Sequence, residues 1–198
     1  MNDKPTSARP GRKRSEDSRL AILTTAFELT AELGYPGLTI EGIASRSGVG
    51  KQTIYRWWPS KADVLLDALA AKADLYVPLD DHGSYATDLR AFLNATFVLG
   101  RDDAVAAALR SLMAHAQVDT EFGTRWRTEF LQRRRDALGL ILERAAARGD
   151  LPAGLSPGTV TDLVFGVLWY RLLATDHPAD EELAEELVTA LAPDSSLR

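Results

Sequence analysis

Apolar residues recur along most of this chain at intervals of three and four, and no alternating strand pattern of useful length appears. That period predicts an all-α fold of about nine helices. The first runs from about 16 to 33, with Ile22, Leu23, Ala26, Phe27, Thr30 and Leu33 on its inner face and Gly34 as its C-cap. Two short helices follow around Gly48. Thr39 caps the first, which carries Ile40, Ile43 and Ala44; the second, about 51–58, buries Ile54 and Trp58. Gly48 supplies the left-handed turn between them, and Val49 plugs the angle. Pro59 stops that helix, and Ser60 caps a fourth, about 61–76, with Val64, Leu65, Ala68 and Leu69 inward.

A break at Pro78 and residues 80–84 separates this group from the rest. Helices are then predicted over 85–99, presenting Leu89, Phe92, Leu93, Thr96 and Phe97, and over 102–116, presenting Val105, Leu109, Leu112 and Met113. A run over about 121–148, roughly 40 Å long at the α-helical rise, aligns Trp126, Phe130, Ala137, Leu138, Ile141, Leu142 and Ala145. Gly149 ends it. Ser156 and Pro157 open a strongly apolar helix, and Asp180, Glu181 and Glu182 begin a last one suited to the positive end of its dipole.

The paired short helices around Gly48 read as a helix-turn-helix whose second member enters a DNA major groove. Its outward residues, Lys51, Gln52, Thr53, Tyr55 and Arg56, combine donors and cations, with Lys51, Gln52 and Arg56 assigned to base edges. The net charge of −5 argues against nucleic acid until the chain is divided. Residues 1–61 hold ten Lys/Arg against six Asp/Glu, a net +4, whereas 62–198 carry −9. The polar segment 1–15 reads as a flexible basic arm, with Arg9, Arg12, Lys13 and Arg14 available to phosphates or the minor groove. Domains follow at 16–62, DNA-binding, and 63–198, a larger helical body.

Ala26, Phe27, Leu33, Gly34 and Tyr35, then Thr39, Ile43, Ala44, Gly48, Val49, Thr53, Ile54, Tyr55, Trp58 and Lys61 form an ordered pattern over about 45 residues. With these residues, 22–66 resembles the DNA-binding domain of the tetracycline-repressor (TetR) family of bacterial transcription regulators. The run IYRWWPSK is similar to the IYRRWPSK form of one large branch. The resemblance implies that Thr39, Tyr55 and Lys61 anchor the DNA backbone, joined in our assignment by Thr53 and Trp57. Trp57 departs from the pattern, standing where relatives carry a polar residue and offering a single N–H donor. The family also implies a fourth helix that carries a ligand signal, and pairing through the last two helices. Segments 144–151 and 163–173 resemble the C-terminal region of the same branch.

An apolar surface at the chain end has little remaining sequence to cover it. A homodimer through Val160, Leu163, Val164, Val167, Leu168, Leu172, Leu183, Leu187 and Leu191 is therefore expected, with Gly166 allowing close approach. Two recognition helices would then read a palindrome about 34–36 Å apart. An effector pocket is assigned to Phe92, Phe97, Met113, His115, Trp126, Phe130, Phe165 and Trp169, which suits a small, largely apolar, planar molecule.

No cysteine is present, which excludes disulfides and thiol chemistry. His82, His115 and His177 are too scattered for a metal motif, Arg133–Arg135 fan around a helix as a solvated face, and no nucleophile–base set appears. No cofactor, metal, membrane span or enzymatic activity is expected, and the expected address is the cytoplasm. The leading expectation is a repressor released from its operator by a ligand. The alternatives are an activator that needs no effector, and a carrier or enzyme retaining a vestigial helix-turn-helix.

Overall fold

A computed structural model describes residues 10–74 and 80–192; the side chains of residues 10–14, 73, 74 and 99 lie outside that description. Every regular element among the described residues is helical. The chain divides into two compact units between Leu69 and Ala70, inside the fourth helix rather than at 62/63.

In the N-terminal unit, α1 (Pro10–Gly37) is broken at Gly34, whose φ of 69° and ψ of 168° no helix can hold. Helical backbone thus begins at Pro10, inside the segment expected to be an arm; Arg9 and the side chains of Arg12, Lys13 and Arg14 lie outside the described residues. Ile22, Leu23, Ala26 and Leu29 fill the core. Leu33, expected on the inner face, is 58% exposed; Leu38, arriving after the break, is completely buried. α2 (Ile40–Ser47) and α3 (Lys51–Trp57) contribute Ile40, Ile43 and Ile54, and α4 (Lys61–Asp74) adds Val64, Leu65 and Leu69.

The C-terminal unit comprises α5 (Tyr85–Arg101), α6 (Asp103–Val118), α7 (Thr120–Arg125), a π-helical segment (Trp126–Leu131), α8 (Gln132–Arg148), α9 (Pro157–Ala174) and α10 (Glu181–Leu191). α7, the π segment and α8 run on without interruption, so counting them as one gives nine helices among the described residues. Starts are marked by side chains that accept from free amides: Ser84 from Thr87, Asp102 from Ala104 and Val105, Asp119 from Phe122, Ser156 from Thr159 and Asp180 from Leu183. At the Asp119 corner, Gly123 backs onto α6 so closely that a Cβ there would lie 2.5 Å from the Ala116 carbonyl oxygen.

Leu89, Phe92 and Phe97 of α5 pack with Leu138, Ile141 and Leu142 of α8, Val160, Val164 and Phe165 of α9, and Leu183, Val188 and Leu191 of α10. A polar knot joins the start of α5 to the end of α8: buried Asp88 accepts from the His82 amide at 2.8 Å and from Arg148 Nη2 at 2.9 Å. The arginine run is not wholly solvated as expected. Arg134 is buried and donates to Thr96 Oγ1 at 3.3 Å, and Arg135 pairs with Asp162 at 2.9 Å.

Candidate nucleic-acid interface, effector cleft and pairing surface

The turn into α3 is built on Gly48, left-handed at φ 70° and ψ 14°, which a side chain would strain. Val49 is half-buried in the angle. α3 then exposes Lys51, Gln52, Tyr55 and Arg56, with Thr53 and Trp57 half-buried and only Ile54 fully inside. Tyr55 keeps 54% of its surface in solvent, which fits a contact residue better than a packing aromatic. The Arg56 guanidinium lies 5.5 Å from the Trp57 ring centre, and Trp57 meets Trp58 edge to face at 5.5 Å. Trp57 is thereby a shelf under Arg56.

What fixes α3 is the residue after it. Trp58 is 4% exposed, and its indole Nε1 donates to Asp67 Oδ2 at 2.9 Å. Arg19 Nη2 reaches the same oxygen at 2.7 Å. One carboxylate of α4 therefore ties α1 to the end of α3. Sequence reasoning missed Arg19 and Asp67, although a buried indole N–H demands an acceptor and so announced that one was needed.

Two assigned phosphate anchors have structural work of their own. Thr39 Oγ1 accepts from the Gly42 amide at 3.0 Å, capping α2. Lys61 Nζ donates to the Tyr35 carbonyl at 3.0 Å and the Leu38 carbonyl at 2.8 Å, and stands 4.5 Å from the Tyr35 ring. Those carbonyls follow the Gly34 break, where the Tyr35 carbonyl also accepts from the Leu38 amide at 3.3 Å, and the ammonium closes the end of α1. Charges on the outer face are loosely paired: Lys51 with Glu41 at 3.2 Å and Arg46 with Glu32 at 2.7 Å. A backbone hydrogen bond, then Lys51, hold the Glu41 carboxyl below its usual range; Arg46 does the same for Glu32.

In the C-terminal unit the assigned pocket residues separate. Met113, Phe165 and Trp169 line a cleft of about 260 Å³ with Leu131, Arg135 and Asp162. Phe92 and Phe97 are core, with Phe92 edge-on to Phe165 at 6.3 Å. Trp126 stacks on Phe130 at 4.7 Å and meets Trp169 at 6.0 Å. Among the described residues its buried indole nitrogen has no hydrogen-bond partner. His115 leans on Phe122 at 4.9 Å, outside this cleft.

The expected pairing surface divides too. Val160, Val164, Leu183 and Leu191 are spent in the core of the C-terminal unit, Val167, Leu168 and Leu187 are half-buried against it, and Leu172 is half-buried. An apolar outer face remains on α9, where Leu163, Tyr170 and Leu173 are 43%, 63% and 48% exposed around Gly166. The outer face of α10 carries Glu181, Glu182, Glu185 and Glu186 instead. Among the described residues no helix is long and apolar enough to cross a membrane.

The family pattern described as "Bacterial regulatory proteins, tetR family" matches residues 22–68, and "Tetracyclin repressor-like, C-terminal domain" matches 79–191. The uncharacterized HTH-type transcriptional regulator YdeS of Bacillus subtilis (strain 168) is 34% identical over 180 residues, covering 90% of this chain and 89% of YdeS. Among solved structures, the TetR family transcription regulator SCO0332 aligns at TM-score 0.75 with 32% identity, over 87% of this chain and 95% of that one. FadR from Bacillus subtilis, solved in complex with stearoyl-CoA, shares the fold at TM-score 0.70 with 20% identity, over 88% and 97%. With a helix-turn-helix clamped at its N-terminal end and both patterns matched in order, the chain belongs to the TetR family of HTH-type transcriptional regulators.

Proposed function

We propose that two copies of this chain pair through the outer face of α9 and repress transcription from a palindromic operator until a small, largely apolar ligand releases them. The observation that carries the DNA contact is the clamp on α3: a seven-residue helix with four exposed polar side chains, secured by a buried indole on Asp67. Lys51, Gln52 and Arg56 read base edges, while Thr53, Tyr55 and Trp57 hold phosphates. Thr39 and Lys61 assist mainly by fixing α2 and the end of α1. The run IYRWWPSK supports membership of the branch with an IYRRWPSK-like recognition helix.

Leu163, Tyr170 and Leu173 supply the apolar contact between protomers, and Gly166 lets the two copies of α9 approach. The effector enters by Met113, Phe165 and Trp169, where the unpartnered indole of neighbouring Trp126 favours a hydrogen-bond acceptor. The ligand acts through its differential affinity for the two conformations, and the protein binds rather than catalyses. Its place of work is the cytoplasm, beside the chromosome.

The test is footprinting on DNA upstream of the chain's own gene, followed by a ligand screen. A protected palindrome, with half-sites about one helical turn apart, is expected. Equal protection of every sequence tried overturns the reading.

A further inference from the structure

Six arginines of this chain are neutralised by a neighbouring carboxylate. Arg19, Arg46, Arg90, Arg125, Arg135 and Arg148 each meet a carboxylate at 2.6–2.9 Å. Arg101, Arg110 and Arg171 differ: none has a carboxylate within ion-pair distance among the described residues, and all three line one cleft of about 310 Å³. The cleft lies where the end of α5 and the start of α6 meet the end of α9. Asp103, Asp176 and His177 also line it, so three cations outnumber two carboxylates within a part of the chain whose net charge is −9. Arg110 is held in place, its Nε donating to the Leu172 carbonyl at 2.9 Å. That bond leaves both terminal amino groups free to donate as a fork, the geometry that matches a carboxylate or phosphate.

This basic cleft and the apolar one both draw their lining from α6 and α9. Ala106, Arg110 and Met113 follow one face of α6 at intervals of four and three, and Leu172, Leu168 and Phe165 do so on α9. α6 and α9 are in contact. From Leu172 to Phe165 the helical rise is about 10 Å. The basic cleft holds Arg110, Leu168 and Leu172; the apolar cleft holds Met113, Phe165 and Trp169. They are successive stations along one seam.

We infer that the α6–α9 seam takes an organic anion with an apolar tail. Its carboxylate or phosphate sits among Arg101, Arg110 and Arg171, and its tail runs towards Met113, Phe165 and Trp169. This assignment rests on the reading of the C-terminal unit as an effector site and names the class of effector.

The test uses the full chain without DNA, with binding followed by calorimetry and tryptophan fluorescence. The probes are octyl phosphate, octanoate, octanol and inorganic phosphate, below micelle-forming concentrations. Octyl phosphate or octanoate should bind at least about tenfold more tightly than octanol or inorganic phosphate, and the better of the two identifies the head group. The double variant R101Q/R171Q should lose that advantage while binding octanol as before, and M113E should weaken every probe with a tail while sparing inorganic phosphate. Unchanged thermal melting shows that the variants fold. Octanol binding as tightly as both anions overturns the seam, as does a double variant that keeps the wild-type preference. A footprint repeated with the tightest probe separates the two proposals. Binding without release retains the seam and overturns release by this ligand class; release by a ligand that R101Q/R171Q binds normally overturns the seam alone.

Discussion

The two units hold their helices by different means. α2 and α3 are eight and seven residues long, too short to persist on backbone hydrogen bonding. Besides the buried Ile40, Ile43 and Ile54, directional contacts secure them: Thr39 on Gly42, and Trp58 with Arg19 on Asp67, while Lys61 closes the end of α1. The C-terminal unit instead stacks α5, α8 and α9, of seventeen or eighteen residues, and the shorter α10 around a broad aromatic and aliphatic core, with the Asp88 knot at one end and the Arg134–Thr96 contact within it. A reading head built on clamps keeps its outward side chains free for a ligand as polar as DNA. A body built on bulk apolar packing tolerates a cleft and an uncovered face.

The comparison breaks most decisively if that uncovered face proves to be internal packing. On the proposed pairing, L163D/Y170D should leave the helical content intact, sediment as a monomer where the wild type sediments as a dimer, and abolish operator binding; unfolding would overturn the assignment. W58A comes next. Loss of a buried tryptophan should cost about 3–5 kcal/mol in urea unfolding and eliminate operator binding.

K61M sharpens the distinction between clamp and contact. It should cost about 1.5–3 kcal/mol of stability for the lost charge-assisted bonds. Its operator-binding salt slope should stay at the wild-type value, whereas R56A relaxes base preference, the mark of a base-edge contact. A fall in slope for K61M would restore Lys61 as a phosphate contact.

Asp88 tests the knots of the larger unit. Burial pushes its carboxyl up, but the His82 amide, Arg148 and the His82 ring outweigh this and hold it below its ordinary 3.8. The stability it confers is therefore present above that value and lost as pH falls through the lower folded one. D88N should flatten the pH dependence of the urea midpoint below about pH 4. The smallest effect is expected from E41Q, which releases Lys51 from an exposed ion pair. Melting should not move, and operator affinity should rise slightly at low salt and match wild type at high salt.

Helix order, the turn at Gly48, the cap at Thr39 and the helix starts at Ser156 and near Asp180 were legible because each uses a local rule that only a few residue types satisfy. The polar face of α3 was legible for a related reason: exposed Lys51, Gln52 and Arg56 have no competing use in a core. Apolar residues have two uses, and periodicity does not separate them. Val160 and Leu183 were therefore read as pairing surface when they are core, and Phe92 as pocket lining when it is packing. Contacts between distant residues were invisible for want of any local signature, including Asp67 with Trp58 and Lys61 with the carbonyls of Tyr35 and Leu38. The π-helical winding over Trp126–Leu131 likewise leaves no mark on the three- and four-residue spacing.

Gly123 behaves as a weld. With no space for a side chain between Gly123 and the Ala116 carbonyl, and Asp119 capping the elbow, α6 and the long run from α7 to α8 are tightly packed at that joint. A molecule wedged beside α6 would consequently swing both arms as one lever instead of bending the elbow. Alanine at position 123 would pry the joint apart and turn that stiff lever into a slack one.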